Sequence, residues 1–139
     1  MKQAQTTLIV TAPRRGLYEM TAEIMSWTAK QKIQTGLLTV FCRHTSASLT
    51  IQENADPDVL HDLEQALDGF APENAPQYRH ITEGPDDMPA HIKGMLTDVS
   101  LSIPVTDGRL ALGTWQGLFL IESRSRPRSR EIILHLVGE

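Results

Sequence analysis

Three histidines stand beside acids and small hydroxyl residues in two stretches of this chain. The first stretch starts at His44-Thr45-Ser46-Ala47-Ser48 and runs on to Glu53-Asn54-Ala55-Asp56-Pro57-Asp58. The second starts at His80, passes through Glu83-Gly84-Pro85-Asp86-Asp87 and ends at His91. Imidazole changes charge near neutral pH and binds transition metals, and carboxylate can share a metal or a proton with it. Catalytic zinc takes three protein ligands and keeps one position open. His44, His80 and His91 are therefore the candidate metal ligands. Their spacing is no metal signature, since HExxH and CxxC are both absent. Histidines that cap strands or bond locally are the competing explanation. His61 and His135 read as surface residues of a helix and a strand.

The acids divide by position. Asp56 precedes Pro57 and suits a helix N-cap, where free backbone N–H groups favour a carboxylate. Glu53 comes before that cap and is a candidate base or metal-bridging group, with Asn54 placed to orient a substrate amide. Asp86 and Asp87 either cap a helix or ligate magnesium, which prefers oxygen. Glu53, Asn54, His44 and Asp87 form the candidate catalytic set.

Further candidates would bind rather than react. In Gly113-Thr114-Trp115-Gln116-Gly117, Trp115 and Gln116 could stack on and hydrogen-bond a flat heterocycle, or form a core bulge between strands. Arg124, Arg126, Arg128 and Arg130 alternate with small residues. Guanidinium grips phosphate bidentately, so Arg126 and Arg128 are candidate phosphate ligands, with hydroxyls from Ser46 and Ser48. A solvated basic loop is the ordinary meaning of such a run. Cys42 lies near His44, but no third residue orients the pair, and a buried structural thiol fits better.

These residues need elements to hold them. Thr7-Leu8-Ile9-Val10-Thr11 closes a strand over residues 3–11, stopped between Pro13 and Gly16. Met20, Ile24 and Trp27 are spaced for a helix over 21–34, with Gly36 at its C-terminal cap. Leu38, Val40 and Cys42 alternate in a strand over 37–43 that ends at His44. Ala47, Leu49 and Ile51 alternate again. Val59, Leu63, Leu67 and Phe70 predict a helix after Asp56. Residues 71–86, with three prolines, read as a long functional loop. A short helix follows over 88–96, near Asp87. Residues 99–105 and 109–112 form a hairpin around Asp107-Gly108. Strands over 118–122 and 131–137 flank a basic loop. This is an α+β pattern: a single domain over 1–139, with an antiparallel or mixed sheet and helices on one side.

Composition narrows the function classes. Of the 139 residues, 40% are hydrophobic and 22% charged, enough for a core and against wholesale disorder. The net charge of −4 and an aromatic content of 5% argue against nucleic acid or an anionic membrane as partner. One cysteine excludes an internal disulfide. No apolar run reaches the ~18 residues a bilayer span needs, and the first residues lack a signal-peptide core. The expectation is a soluble, cytoplasmic protein.

Read together, His44–Leu49, Glu53–Val59, Glu83–His91, Ser100–Val105 and Leu112–Gln116 resemble the YjbQ-like family across nearly the whole chain. The resemblance implies a compact α+β sandwich or pseudobarrel, largely antiparallel, with two or three helices. It implies a homotrimer, and a pocket gathering His44, His80 and His91. The family is associated with thiamine-phosphate synthesis, which joins a pyrimidine diphosphate to a thiazole phosphate and releases pyrophosphate. A small phosphorylated substrate is then the expected partner, with Mg²⁺ and an arginine (matching Arg128 or its neighbours) on the leaving anion. Three histidines suit zinc or another transition metal better than magnesium. A metal-assisted hydrolase, or a non-catalytic binder of a metal or metabolite, would use the same residues.

Overall fold

The pleat alternates side chains between two environments, and the longest strands obey it. The computed structural model describes all 139 residues. In β1 (Lys2–Ala12), β3 (Thr35–Cys42), β5 (Ser100–Thr106) and β8 (Arg128–Gly138), every second residue points inward. Leu38, Val40 and Cys42 of β3 are buried with Leu101, Ile103 and Val105 of β5 and Ile132, Leu134 and Leu136 of β8. With the short β6 (Arg109–Leu110) these strands form one sheet in the order β1-β8-β3-β5-β6. A second sheet has the order β2-β7-β4, from β2 (Gly16–Glu19), β7 (Gln116–Glu122) and β4 (Ala47–Glu53). Leu49, Leu118 and Leu120 of the second sheet join the inner residues of the first in one core. Every strand ladder is antiparallel, which settles the open choice between an antiparallel and a mixed sheet. The fold is an α+β sandwich of curled sheets with three helices, α1 (Thr21–Lys30), α2 (Pro57–Phe70) and α3 (Asp87–Leu96).

Local chemistry sets the boundaries. Asp56 is extended and accepts from the Asp58 N–H at 2.9 Å, with Pro57 opening α2. Asp107 and Gly108 both have positive φ, 52° and 75°, the twist a two-residue hairpin requires. Pro89 falls in the first turn of α3, where its missing N–H costs no helical bond. Asp86 stands before α3 but makes no capping bond; its carboxylate is used elsewhere.

Three expectations need correcting. The first helix ends at Lys30, and Lys32 makes the turn with φ 56°, so Gly36 is no helix cap. Gly36 lies inside β3 against Gly138, where an added Cβ would come within 2.4 Å of the Val137 carbonyl oxygen. Gly16, read as the end of a break, instead opens the edge strand β2, which runs to Glu19. The basic loop is only residues 123–127, because β8 begins at Arg128.

Candidate metal centre

His80, Asp87 and His91 are the residues the fold brings to one point. His80 is in the loop before α3; Asp87 opens α3 and His91 follows it by one turn. Residues four apart share a helix face, so Asp87 and His91 reach the same spot. His80 Nε2 lies 2.6 Å from Asp87 Oδ2, and His91 Nε2 lies 3.2 Å from the same oxygen. The two rings meet edge to face at 5.3 Å between centroids. All three donor atoms lie within 4.8 Å of one another. Metal–ligand bonds of about 2 Å place neighbouring ligand atoms roughly 3 Å apart, so the spacing suits one ion. Asp87 is almost wholly covered, whereas both imidazoles are partly open to solvent. A ligand can therefore approach from the histidine side.

Arg124 fixes the carboxylate. Its Nη1 donates to Asp87 Oδ1 at 2.5 Å, leaving Oδ2 for the histidines. Its Nε donates to Asp86 Oδ2 at 3.1 Å, and its Nη2 to the Glu83 carbonyl at 2.8 Å. Ser125 adds its N–H and hydroxyl to Asp86 Oδ2 at 2.9 and 3.1 Å. Burial alone would raise the Asp86 carboxyl. The Ser125 N–H, Arg124 and the Ser125 hydroxyl outweigh it and hold the group at about 2. Asp87 is also held below the ordinary carboxylate range: burial opposes this, and His80, Arg124 and His91 overcome it.

His44 does not join the ligand set. Its Nε2 accepts the Glu131 N–H at 2.8 Å, and it is not among the donor atoms that converge with Asp87. Burial, then the charge of Arg130, lowers its pKa. His44 still faces His91 across a pocket of about 270 Å³ that also touches Thr45 and Gly94. It belongs to the surroundings of the cluster rather than to the cluster.

The other candidates have structural partners. Ser46 takes a hydrogen bond from Arg130 at 3.0 Å on its hydroxyl, and buried Ser48 takes one from Thr97 at 2.6 Å. Glu53 ends β4 six residues from Ala47, about 20 Å away along the strand, and Asn54 follows it. There the Glu53 carboxylate accepts the Asp56 N–H, and Asn54 donates to Glu19 at 2.9 Å. Gln116 uses its oxygen to close the Gly113 turn at 2.8 Å. Gly117 is needed where β7 crosses Glu19 and Asn54, since a Cβ would come within 2.7 and 2.9 Å of them. Trp115 is 63% exposed at this same far end. Within one chain, Glu53, Asn54, Gln116 and Trp115 lie away from the histidine cluster, whereas Ser48 lines the pocket beside His91. Arg126 is exposed and Arg128 half-buried, with its Nε unpartnered.

Two arginines outside the candidate set matter most. Arg130 is 6% exposed and meets fully buried Glu122 with two bonds of 2.6 Å. Counting back by twos from Leu136, Leu134 and Ile132 puts Arg130 on the inner face, a signal present in the sequence. Arg124 lies two residues past the buried end of β7, after buried Ser123, so its side chain starts close to the core.

The chain has relatives with this fold. The family described as UPF0047 protein YjbQ-like matches residues 5–139. The UPF0047 protein sll1880 of Synechocystis is 51% identical over 138 residues, covering 99% of this chain and 94% of that protein. UPF0047 protein YjbQ of Escherichia coli O157:H7 is 46% identical, covering 97% and 98%. A conserved hypothetical protein of Thermus thermophilus superposes with a TM-score of 0.85 at 39% identity, covering 95% of this chain and 99% of that one. A Sulfolobus solfataricus protein of unknown function superposes at 0.87 with 20% identity, covering 99% and 100%, a likeness of fold. The chain belongs to the UPF0047 YjbQ-like family.

Proposed function

We propose that this protein is a small-molecule enzyme acting on a phosphorylated substrate at a divalent transition metal held by His80, Asp87 and His91. One observation carries the reading: two imidazole nitrogens converge on one oxygen of a buried aspartate whose other oxygen is tied to Arg124. Two nitrogens and one oxygen suit zinc or a related ion, with positions left for water and substrate. Such an ion, when bound, lowers the pKa of its water and polarises a phosphoryl oxygen. The protein's own share is to keep Asp87 ionised, to fix its orientation through Arg124, and to leave the histidine side open.

The donor set favours metal-assisted hydrolysis over a magnesium-dependent transfer. Thiamine-phosphate synthesis is the reaction the family resemblance suggests. It would need magnesium with its substrate, and oxygen ligands from Asp86 or Asp87. Two of the three converging donors are imidazole nitrogens, whereas magnesium prefers oxygen. Assembly as a homotrimer is part of the proposal, and the exposed Ile9, Leu37 and Phe41 of the five-stranded sheet support it. No helix is long and apolar enough to cross a membrane.

The test is metal analysis of protein purified without added metal, with turnover measured on phosphate monoesters and on the two thiamine precursors. About one transition metal per chain is expected. His80→Ala with His91→Ala should abolish both metal and turnover, whereas His44→Ala should keep the metal. Full metal occupancy in the double variant would exclude the site.

A further inference from the structure

A second cleft lies beneath α2, and the metal reading makes no use of it. It measures about 360 Å³, near the lower end of the ~300–1,000 Å³ common for small-molecule pockets. Helix α2 has no fully buried residue, so it roofs the cleft rather than sealing it. The floor includes Gly16, whose φ of 155° disfavours any side chain; a Cβ there would meet Glu64 Oε1 at 3.5 Å. Both walls carry charge. Arg14, Arg15 and Lys93 supply cations; Glu64 and Asp68 on α2 supply anions.

Most of these charges are already paired. Lys93, 4% exposed, bonds Asp68 at 2.6 Å, and Arg15 bonds Glu73 at 3.2 Å. Glu122, also on the wall, is matched by Arg130. The Arg14 guanidinium and the Glu64 carboxylate have no partner. Ser123 is 2% exposed and lines the cleft, and its hydroxyl also has no partner. A buried hydroxyl without a hydrogen bond is costly, and a ligand reached by its rotation would satisfy it.

We infer that this cleft binds a small phosphorylated amine, with its phosphate at Arg14, Lys93 and Ser123 and its ammonium at Glu64. Lys93 has three donors and spends one on Asp68, so two remain for phosphate oxygens. The unpaired cation and the unpaired anion select a ligand carrying both signs. The site faces away from the histidine cluster: α3 carries Asp87 and His91 on one face and Lys93 on another, and Ser125, which lines the cleft, bonds Asp86 rather than the cluster.

Nuclear magnetic resonance titration of the full chain with O-phosphoethanolamine tests this. Saturable binding is expected, with amide shifts at residues 14–17, 64–68, 93 and 121–125, and unchanged affinity in the His80→Ala, His91→Ala double variant. Glycerol 3-phosphate and ethanolamine should each bind at least about tenfold more weakly, since each lacks one of the two charged groups. Arg14→Gln should weaken phosphoethanolamine about tenfold, and Glu64→Gln should bring it to the level of glycerol 3-phosphate. Ser123→Ala should weaken it without lowering the melting temperature, because the lost hydroxyl had no partner in the free protein. Absence of saturable binding at millimolar ligand, or shifts centred on His80 and His91, would overturn the assignment. So would equal affinity for glycerol 3-phosphate, or wild-type affinity in both Arg14→Gln and Glu64→Gln.

Discussion

Arg124 spends all three nitrogens on three residues of the segment that carries the cluster: Glu83, Asp86 and Asp87. Removing it leaves largely covered Asp86 without a cation and Asp87 Oδ1 without its donor. Arg124→Ala should cost about 3 kcal/mol, the scale for breaking a buried ion pair from one side, and should also lower metal occupancy. Urea denaturation and metal analysis of the same variant check both effects. Asp86 gives a pH dependence with a definite sign. Its folded pKa of about 2 lies below the ordinary 3.8, so its stabilisation is present above pH 3.8 and is lost as pH falls through about 2. The shift corresponds to about 2 kcal/mol. Between about pH 5 and pH 2 the wild type should lose more stability than Asp86→Asn; equal losses would sink the assignment. Cys42 is the inert counterpart. Burial pushes its thiol up, against an opposing His44 N–H bond, so a thiol reagent should label it only as the protein unfolds.

At the scale of elements, β7 and β8 lie in different sheets, and the passage from one to the other is fastened by one buried pair. Glu122 has no exposed side-chain surface, and Arg130 is its cation. Arg130 also bonds the Ser46 carbonyl at 3.2 Å, so the pair holds the segment carrying His44. Arg130→Ala should destabilise by about 3–5 kcal/mol, because it strands a buried carboxylate. Replacing both partners, Arg130→Met with Glu122→Leu, should recover most of that loss, and thermal denaturation of the two variants compares them. Much of this layer is legible in one dimension. Helix α2 and its Asp56 cap, the Asp107-Gly108 turn and the strand alternation follow from local rules. The role of Gly36 is not, because a glycine near a helix end and a glycine facing Gly138 across a sheet look alike along the chain.

For the whole molecule, the five-stranded sheet has one face in the core and one facing out. On the outer face Ile9 is 55% exposed, Leu37 43% and Phe41 42%, apolar surface that an interface between copies would cover. In the proposed trimer a charge there would be buried. Phe41→Asp should therefore shift the protein toward monomer in light scattering while leaving the chain folded. A monomeric wild type would remove this part of the proposal.

The sequence by itself determined the family, the α+β class, the main strands and both histidines of the cluster as candidates. Those properties rest on local spacing, turn chemistry and motif, which one dimension contains. Tertiary structure decided which partners each polar group keeps. His44 and His80 look equivalent along the chain, yet β8 presents a backbone N–H to one and α3 an aspartate to the other. Arg124 and Arg130 are indistinguishable in type from Arg126 and Arg128. Alternation back from Leu136 turns Arg130 inward, but only the packing of β7, β8 and the loop before α3 showed which carboxylates meet Arg124 and Arg130. A polar side chain's role is set by the groups within about 3 Å of it, and in this chain those groups come from residues tens of positions away.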